Sequence, residues 1–257
     1  MKELKMQPPL STETWCKKLI DHAGGLDDFD LPEFPPEEIQ KIPSNTSGVQ
    51  AMEHGAAFYR ILSSQIDLKP QTRILDYGCG WGRMSRFLLR TVKEENVFGV
   101  DVEERTVSSA QKAMPEVTFE CIAPGDALPF DDQSFDIVFS NSVFSHLSEV
   151  AHKHYMAELA RCLKSGGKLF ASFLEAYHLE RRVGRNDPWL EGIIGPGDSA
   201  LEEMKQSGFV YGHSRRIEDY GMAFIAEDWI VKNLPDQLKF LSFVDGYVHS
   251  LFLAEKD

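Results

Sequence analysis

The sequence predicts an α/β fold in which a parallel sheet carries helices on both faces. Three observations lead there. Between about residues 70 and 175, short apolar runs alternate with stretches of helical period. Three glycines, Gly78, Gly80 and Gly82, sit where the first apolar run hands over to a helix. An acid, Asp101, closes the second run, nineteen residues after Gly82.

In chain order, residues 1–47 are loosely patterned. The stretch DDFDLPEFPPEE combines acids with prolines and is expected to run extended over the surface. Residues 48–65 repeat apolar positions at three- and four-residue steps (Met52, Ala56, Tyr59, Leu62), which predicts a helix ending before Pro70. Strands follow at 73–77, 96–100, 117–122, 135–140 and 168–174, the last preceded by a turn at Ser165-Gly166-Gly167. Helices are expected at 82–92, 103–113 and 150–163, and a parallel sheet needs such crossovers. Residues 175–225 show no clean period and read as an insertion covering the site. A helix at 227–233 comes next, then strands near 238–244 and 246–254 joined by a tight turn at Asp245-Gly246, an antiparallel hairpin at the sheet edge.

Composition limits the partners. The 257 residues carry 27 Lys and Arg against 40 Asp and Glu, a formal charge of −13. A nucleic-acid binder must neutralise phosphates, so no nucleic-acid partner is expected. Arg181, Arg182 and Arg185 form a local basic patch suited to one anionic group. No apolar run is long enough to span a bilayer and the first residues lack a signal-peptide core, so a cytoplasmic protein with no membrane partner is expected. Cys16, Cys79, Cys121 and Cys162 are scattered, without metal or disulfide spacing, and read as reduced thiols.

The glycine loop Asp76-Tyr77-Gly78-Cys79-Gly80-Trp81-Gly82 permits a tight turn and close approach of a ligand to bare backbone, at a helix end whose N–H groups favour an anion. A carboxylate at Asp101 can accept both ribose hydroxyls of an adenosine moiety. Arg83 stands where a dinucleotide motif wants its third glycine, and Asp76 would repel a pyrophosphate but suit the ammonium of a methionine moiety. S-adenosylmethionine is therefore the expected cofactor, with helix capping the competing role for Asp76 and Asp101. In Gly125-Asp126-Ala127-Leu128-Pro129-Phe130, Asp126 can take an adenine amino group, the Ala127 N–H can donate to the ring, and Leu128 can pack its face.

With ILDYGCGWGR at 74–83, FGVD at 98–101, GDALPFDDQSFDIV at 125–138 and LKSGGKL at 163–169, the chain resembles the class I S-adenosylmethionine-dependent methyltransferases. The resemblance covers about residues 70 to 175. It implies a Rossmann-like seven-stranded sheet of order 3-2-1-4-5-7-6, its last strand antiparallel. It also implies cofactor contacts from Asp76, Gly78, Gly80, Asp101, Asp126 and Ala127, with Asn141 and Ser142 offering backbone to the methionine end; Val102, next to Asp101, is a further cofactor-contact candidate. Cys79 and Trp81 are expected to shape the loop with their backbones near the cofactor, and Arg83 to bond a carboxylate, with a surface salt bridge its competing role. One departure is a shorter loop between Asp126 and Leu128. GCGWGR together with SVFSHL (142–147) looks like a bacterial subgroup associated with sugar or other small-molecule pathways.

The domain reading that follows has residues 1–66 as an N-terminal extension and lid helix, and 67–257 as the methyltransferase domain, with 175–225 covering the substrate. His146, after the fourth strand, is the candidate catalytic base, against a reading in which it packs at the following helix. His152, His154 and Glu158 resemble metal ligands, but only His154 and Glu158 share a face, so a solvated helix face is expected and no metal. Tyr59, Tyr177, His178, Tyr211, His213 and Tyr220 are candidates for pocket or core. The expected function is methyl transfer to an oxygen or nitrogen of a small metabolite or sugar. A nicotinamide-dependent oxidoreductase and a non-catalytic cofactor-binding protein of the same fold are the alternatives. A small molecule is the expected partner, and a homodimer is left open.

Overall fold

The structure, a computed structural model, describes residues 10–25, 31–213 and 221–257. Tyr220 and the first acids of the 27–38 stretch lie outside the described residues. The chain divides into two compact units, residues 1–122 and 123–257.

In the first unit the N-terminal segment departs from its expectation. It forms helix α1 at Thr12–Ala23, capped by the Ser11 hydroxyl, and α2 at Glu37–Ser44, which starts directly after Pro36. Helix α1 buries only Cys16 and Leu19, too narrow an apolar stripe to stand out in a sequence. Helix α3 spans Gly48–Gln65, as its period predicts, and buries Met52, Ala56, Tyr59 and Leu62. Strand β1 (Ile74–Tyr77) is buried along its whole length, the mark of a strand covered on both faces. It pairs in parallel with β2 (Val97–Asp101), which pairs in parallel with β3 (Thr118–Cys121). The crossovers are α4 (Arg83–Leu88) and α5 (Glu104–Ala113). Helix α4 is shorter than the predicted 82–92, because residues 89–91 close as turns.

The second unit holds β4 (Phe135–Ser140), α6 (Glu149–Cys162) and β5 (Leu163–Phe173). The expected turn at Ser165-Gly166-Gly167 is instead a bulge inside β5. The pairing Phe135↔Leu163 resumes at Ile137↔Lys168, and Gly166 takes φ +75°. The described residues of 175–225, which are 175–213 and 221–225, are regular, contrary to expectation. They form α7 (Ala176–Val183), α8 (Pro188–Ile194), α9 (Gly197–Ser207) and a separate hairpin of β6 (Phe209–His213) with β7 (Gly221–Ile225). These helices bury Leu179, Leu190, Ala200 and Met204 against Val210 and Phe224 in a core of their own. Helices of 8, 7 and 11 residues are too short for a period to emerge from one sequence. Helix α10 (Glu227–Asn233) and strands β8 (Leu238–Val244) and β9 (Ser250–Lys256) complete the chain, with β9 antiparallel to both β5 and β8. The link between β8 and β9 is five residues, Asp245 to His249, not a two-residue turn.

The main sheet has seven strands in the order β3-β2-β1-β4-β5-β9-β8, with β8 at the edge. Once the separate β6–β7 hairpin is set aside, this is the expected seven-strand order with its last strand antiparallel.

Candidate functional site

At the end of β1 the chain turns through three left-handed glycines, Gly78 (φ +83°), Gly80 (φ +50°) and Gly82 (φ +75°). A Cβ at Gly82 would also lie 3.2 Å from the Phe119 ring, so that position needs glycine for space as well as for conformation. The loop is tied to β2. Asp101 Oδ2 accepts from the Gly80 N–H at 2.7 Å, and Oδ1 accepts from the N–H groups of Val102 (2.7 Å) and Glu103 (3.0 Å). In the isolated chain Asp101 thus pins the loop and the turn before α5. Oδ1 already accepts two donors, while Oδ2 keeps lone-pair capacity for a further one.

Asp76 is buried inside β1, and its Oδ2 accepts from the Ser85 hydroxyl at 2.9 Å. Burial pushes its carboxyl up to about 7; the Ser85 bond opposes the shift and Asp101 adds to it. A cation docking at a carboxyl raised this way would restore its charge. Burial also raises Asp101, against its three N–H donors.

Sequence reasoning missed what holds this loop. Arg86 is 1% exposed, and its Nη1 donates to the carbonyls of Trp81 and Gly82, both at 2.9 Å, while Nη2 donates to the Glu33 carbonyl at 2.7 Å. Its guanidinium lies over the rings of Trp81 (5.0 Å) and Phe34 (5.3 Å), and burial lowers it to about 9. Trp81 is buried and donates to the Gln40 carbonyl, Pro43 lies against Gly80, and Arg83 Nη1 reaches Ser44 Oγ at 3.4 Å. Cys79 is buried and Val102 exposed. Tyr59 is core, stacked on Phe87 and accepting from Arg90 Nε.

In the second unit, Asp126 is exposed, and its carboxylate accepts from the Ala123 N–H at 3.1 Å within its own turn. Ala127 is exposed and Leu128 buried. Helix α6 holds this loop through partners not foreseen. The Tyr155 hydroxyl accepts from Gly125 N–H and Glu158 from Leu128 N–H, while Arg161 donates to the carbonyls of Leu128 and Phe130. Glu158 is therefore a loop anchor rather than part of a solvated face. His152 is likewise buried, among Phe144, Phe209 and Trp229, and held down to about 3 by burial.

Beyond β4 the backbone is bent at Ser142 (φ +65°), whose N–H donates to Ser172 Oγ at 2.7 Å. Asn141 is buried, its Oδ1 accepts from the Tyr247 hydroxyl at 3.2 Å, and its Nδ2 has no hydrogen-bond partner among the described residues. Ser142 Oγ and His249 Nδ1 lie 3.2 Å apart. His146 Nδ1 lies 2.9 Å from the Gly221 carbonyl; a carbonyl only accepts, so Nδ1 carries the hydrogen and the neutral ring keeps its lone pair on Nε2. Burial lowers His146 and takes His249 down to about 4, leaving both neutral at neutral pH. His178 lies edge-on to His249, ring centroids 6.5 Å apart. Tyr247 and His249 were absent from the sequence-based candidates, since 246–254 was expected to be an edge strand, whereas β9 begins only at Ser250. Of the remaining candidates, Tyr177 and His213 are exposed and Tyr211 is partly buried against Gly221.

Comparison with known proteins gives a consistent picture. Residues 74–167 match a family model described as a methyltransferase domain. The phthiotriol/phenolphthiotriol dimycocerosates methyltransferase of Mycobacterium leprae (strain TN) is 30% identical over 231 residues, covering 86% of this chain and 78% of that protein. The cyclopropane-fatty-acyl-phospholipid synthase of Escherichia coli (strain K12) is 26% identical over 174 residues, 66% of this chain, and the match spans only 40% of that enzyme's length. Among solved structures, the PH0226 protein of Pyrococcus horikoshii OT3 superposes with a TM-score of 0.60 at 17% identity, covering 84% of this chain and 95% of that one, which speaks to the fold.

Proposed function

The chain belongs to the class I S-adenosylmethionine-dependent methyltransferases, and on that premise we propose that it moves a methyl group to an oxygen or nitrogen of a small molecule by in-line displacement. The observation that carries this reading is the paired acid arrangement at the glycine loop: buried Asp76 at its entry and Asp101 bonded to its Gly80 N–H. These residues fit the cofactor. In the proposed assignment Asp76 faces the ammonium, Asp101 accepts from the ribose hydroxyls, and the bare backbone of Gly78, Cys79, Gly80 and Trp81 lets the ligand approach. Arg83 meets the carboxylate, and Val102, Asp126, Ala127 and Leu128 serve the adenine. Asn141 and Ser142 serve the methionine end, and the unpartnered Asn141 Nδ2 is a donor ready for an acceptor oxygen.

The cofactor supplies a methyl group already activated on a sulfonium. The protein's part is then alignment and water exclusion, which supply on the order of 7–11 kcal/mol at best. His146 takes the acceptor's proton on Nε2, and the Gly221 carbonyl fixes the tautomer that makes this possible. Residues 175–225 cover the acceptor in this proposal, and residues 1–66 serve as the extension and lid. We further place the protein in the cytoplasm with a small-molecule partner and no nucleic acid, a homodimer being compatible. Among the described residues no helix is long and apolar enough to cross a membrane.

Calorimetry with S-adenosylhomocysteine and with NADH tests the cofactor. Binding of the first and not the second is expected, and the reverse would overturn the reading. Labelled S-adenosylmethionine with a metabolite extract tests turnover; cofactor binding without any labelled product would make the chain a binding protein.

A further inference from the structure

We propose that a cavity on helix α7, lined by His178, Arg181, Arg182, Arg185 and Asp187, binds the carboxylate or phosphate group of the methyl acceptor. The part that names the acceptor rests on the methyltransferase reading above; the anion site itself does not. The cavity is open to solvent and has a volume of about 460 Å³, within the range of small-ligand sites.

Positions 178, 181, 182 and 185 recur at three- and four-residue steps, so helical spacing gathers them on one side of α7 and the turn that extends it. Three guanidinium groups face one carboxylate there, in a chain whose formal charge is −13. That lone carboxylate is committed. Asp187 Oδ2 accepts from Arg182 Nη1 at 3.0 Å, and its Oδ1 caps α8 through the Trp189 N–H. Arg182 is also stacked over the Trp189 ring at 5.3 Å, which holds its fork in place. Arg181 donates to the Tyr177 hydroxyl, and among the described residues no carboxylate pairs with Arg181 or Arg185. Like charges on one helix face repel, and an oxyanion bridging their planar forks relieves that repulsion.

The position of the cavity suits an acceptor. His178 lines it, and the His178 ring is 6.5 Å from that of His249, which lies beside Ser142. Burial lowers His178; Glu175 opposes the shift, and Arg182 and Arg181 add to it. A molecule anchored by its anionic end at the arginines thus extends toward the polar cluster beyond β4.

The test is titration of the full chain with inorganic phosphate and with citrate at low ionic strength, read by calorimetry, for wild type and the Arg181→Gln/Arg185→Gln double variant. At least one anion should bind wild type, and affinity should fall about tenfold or more per guanidinium removed. S-adenosylhomocysteine affinity should be unchanged. No anion binding, or wild-type affinity in the double variant, would overturn the proposal. Phosphatidylglycerol vesicles against phosphatidylcholine vesicles separate the sources: retention on the first, lost in the double variant, assigns a lipid headgroup, and phosphate binding without retention assigns a soluble anion. If anions bind but S-adenosylhomocysteine does not, the anion site stands and the methyltransferase reading falls; the opposite pattern leaves that reading intact and removes the site.

Discussion

Asp76 and Asp101 lie on adjacent strands, yet their surroundings differ. Asp101 has three backbone N–H donors to support its charge, whereas Asp76 has the Ser85 hydroxyl and a raised value of about 7. A carboxyl raised on folding binds more protons in the native than in the unfolded state. The native state therefore loses stability as pH rises from the unfolded value toward about 7. Asp76→Asn should remove that slope and stabilise the free protein in neutral solution, measurable by urea melts at several pH values. The same substitution should weaken S-adenosylhomocysteine about tenfold or more, by losing one charge-assisted bond. In wild type that affinity should rise with pH through about 7, because only the charged form holds an ammonium. Asp101→Ala should weaken binding greatly and loosen the loop, and wild-type affinity would refute its ribose role. His146→Ala should lower turnover on the order of a hundredfold with cofactor affinity kept. Because burial lowers His146, turnover should hold to lower pH than an ordinary histidine allows. Asp76, the glycines and Asp101 were legible because they are local to one strand–loop–helix–strand unit. Arg86 and His249 were not: one acts on carbonyls within a motif whose pattern does not include it, the other meets Ser142 across 107 positions of sequence.

Among the elements, legibility followed length and burial. Helix α3 runs 18 residues and α10 begins after Ala226 where expected, while α7, α8 and α9 were missed as elements. Their shared core around Phe224 tests whether 175–225 is a packed body. Phe224→Ala should cost about 3–5 kcal/mol, read as a loss of hydrogen-exchange protection in α7 to β7. An unchanged protection pattern would mean that core is not what orders the segment. Strand β2 offers a matching test. A Cβ at Gly99 would lie 2.6 Å from Phe119 and 2.9 Å from Cys79, so Gly99→Ala should destabilise by about 1–3 kcal/mol in a denaturant melt. The bulge in β5 escaped notice because Ser-Gly-Gly signals a turn and a bulge alike.

For the molecule as a whole, a ligand that binds only the native state must raise its stability by mass action. S-adenosylhomocysteine at a hundred times its Kd should add about 2.7 kcal/mol to unfolding, and NADH nothing. A melting temperature raised by NADH alone would contradict the family's cofactor in this chain. The sequence by itself determined the alternation of strand and helix, the glycine loop with its acids and the terminal antiparallel pair. Each of these is written in spacings of a few residues, where backbone sterics and period suffice. Only the tertiary structure decided that α7, α8, α9 and the β6–β7 pair form a packed body, that Arg86 clamps the glycine loop, and that Tyr247, His249 and His178 gather beyond β4 beside an arginine-lined cavity. Those depend on contacts between residues far apart in the chain, and no local pattern carries them.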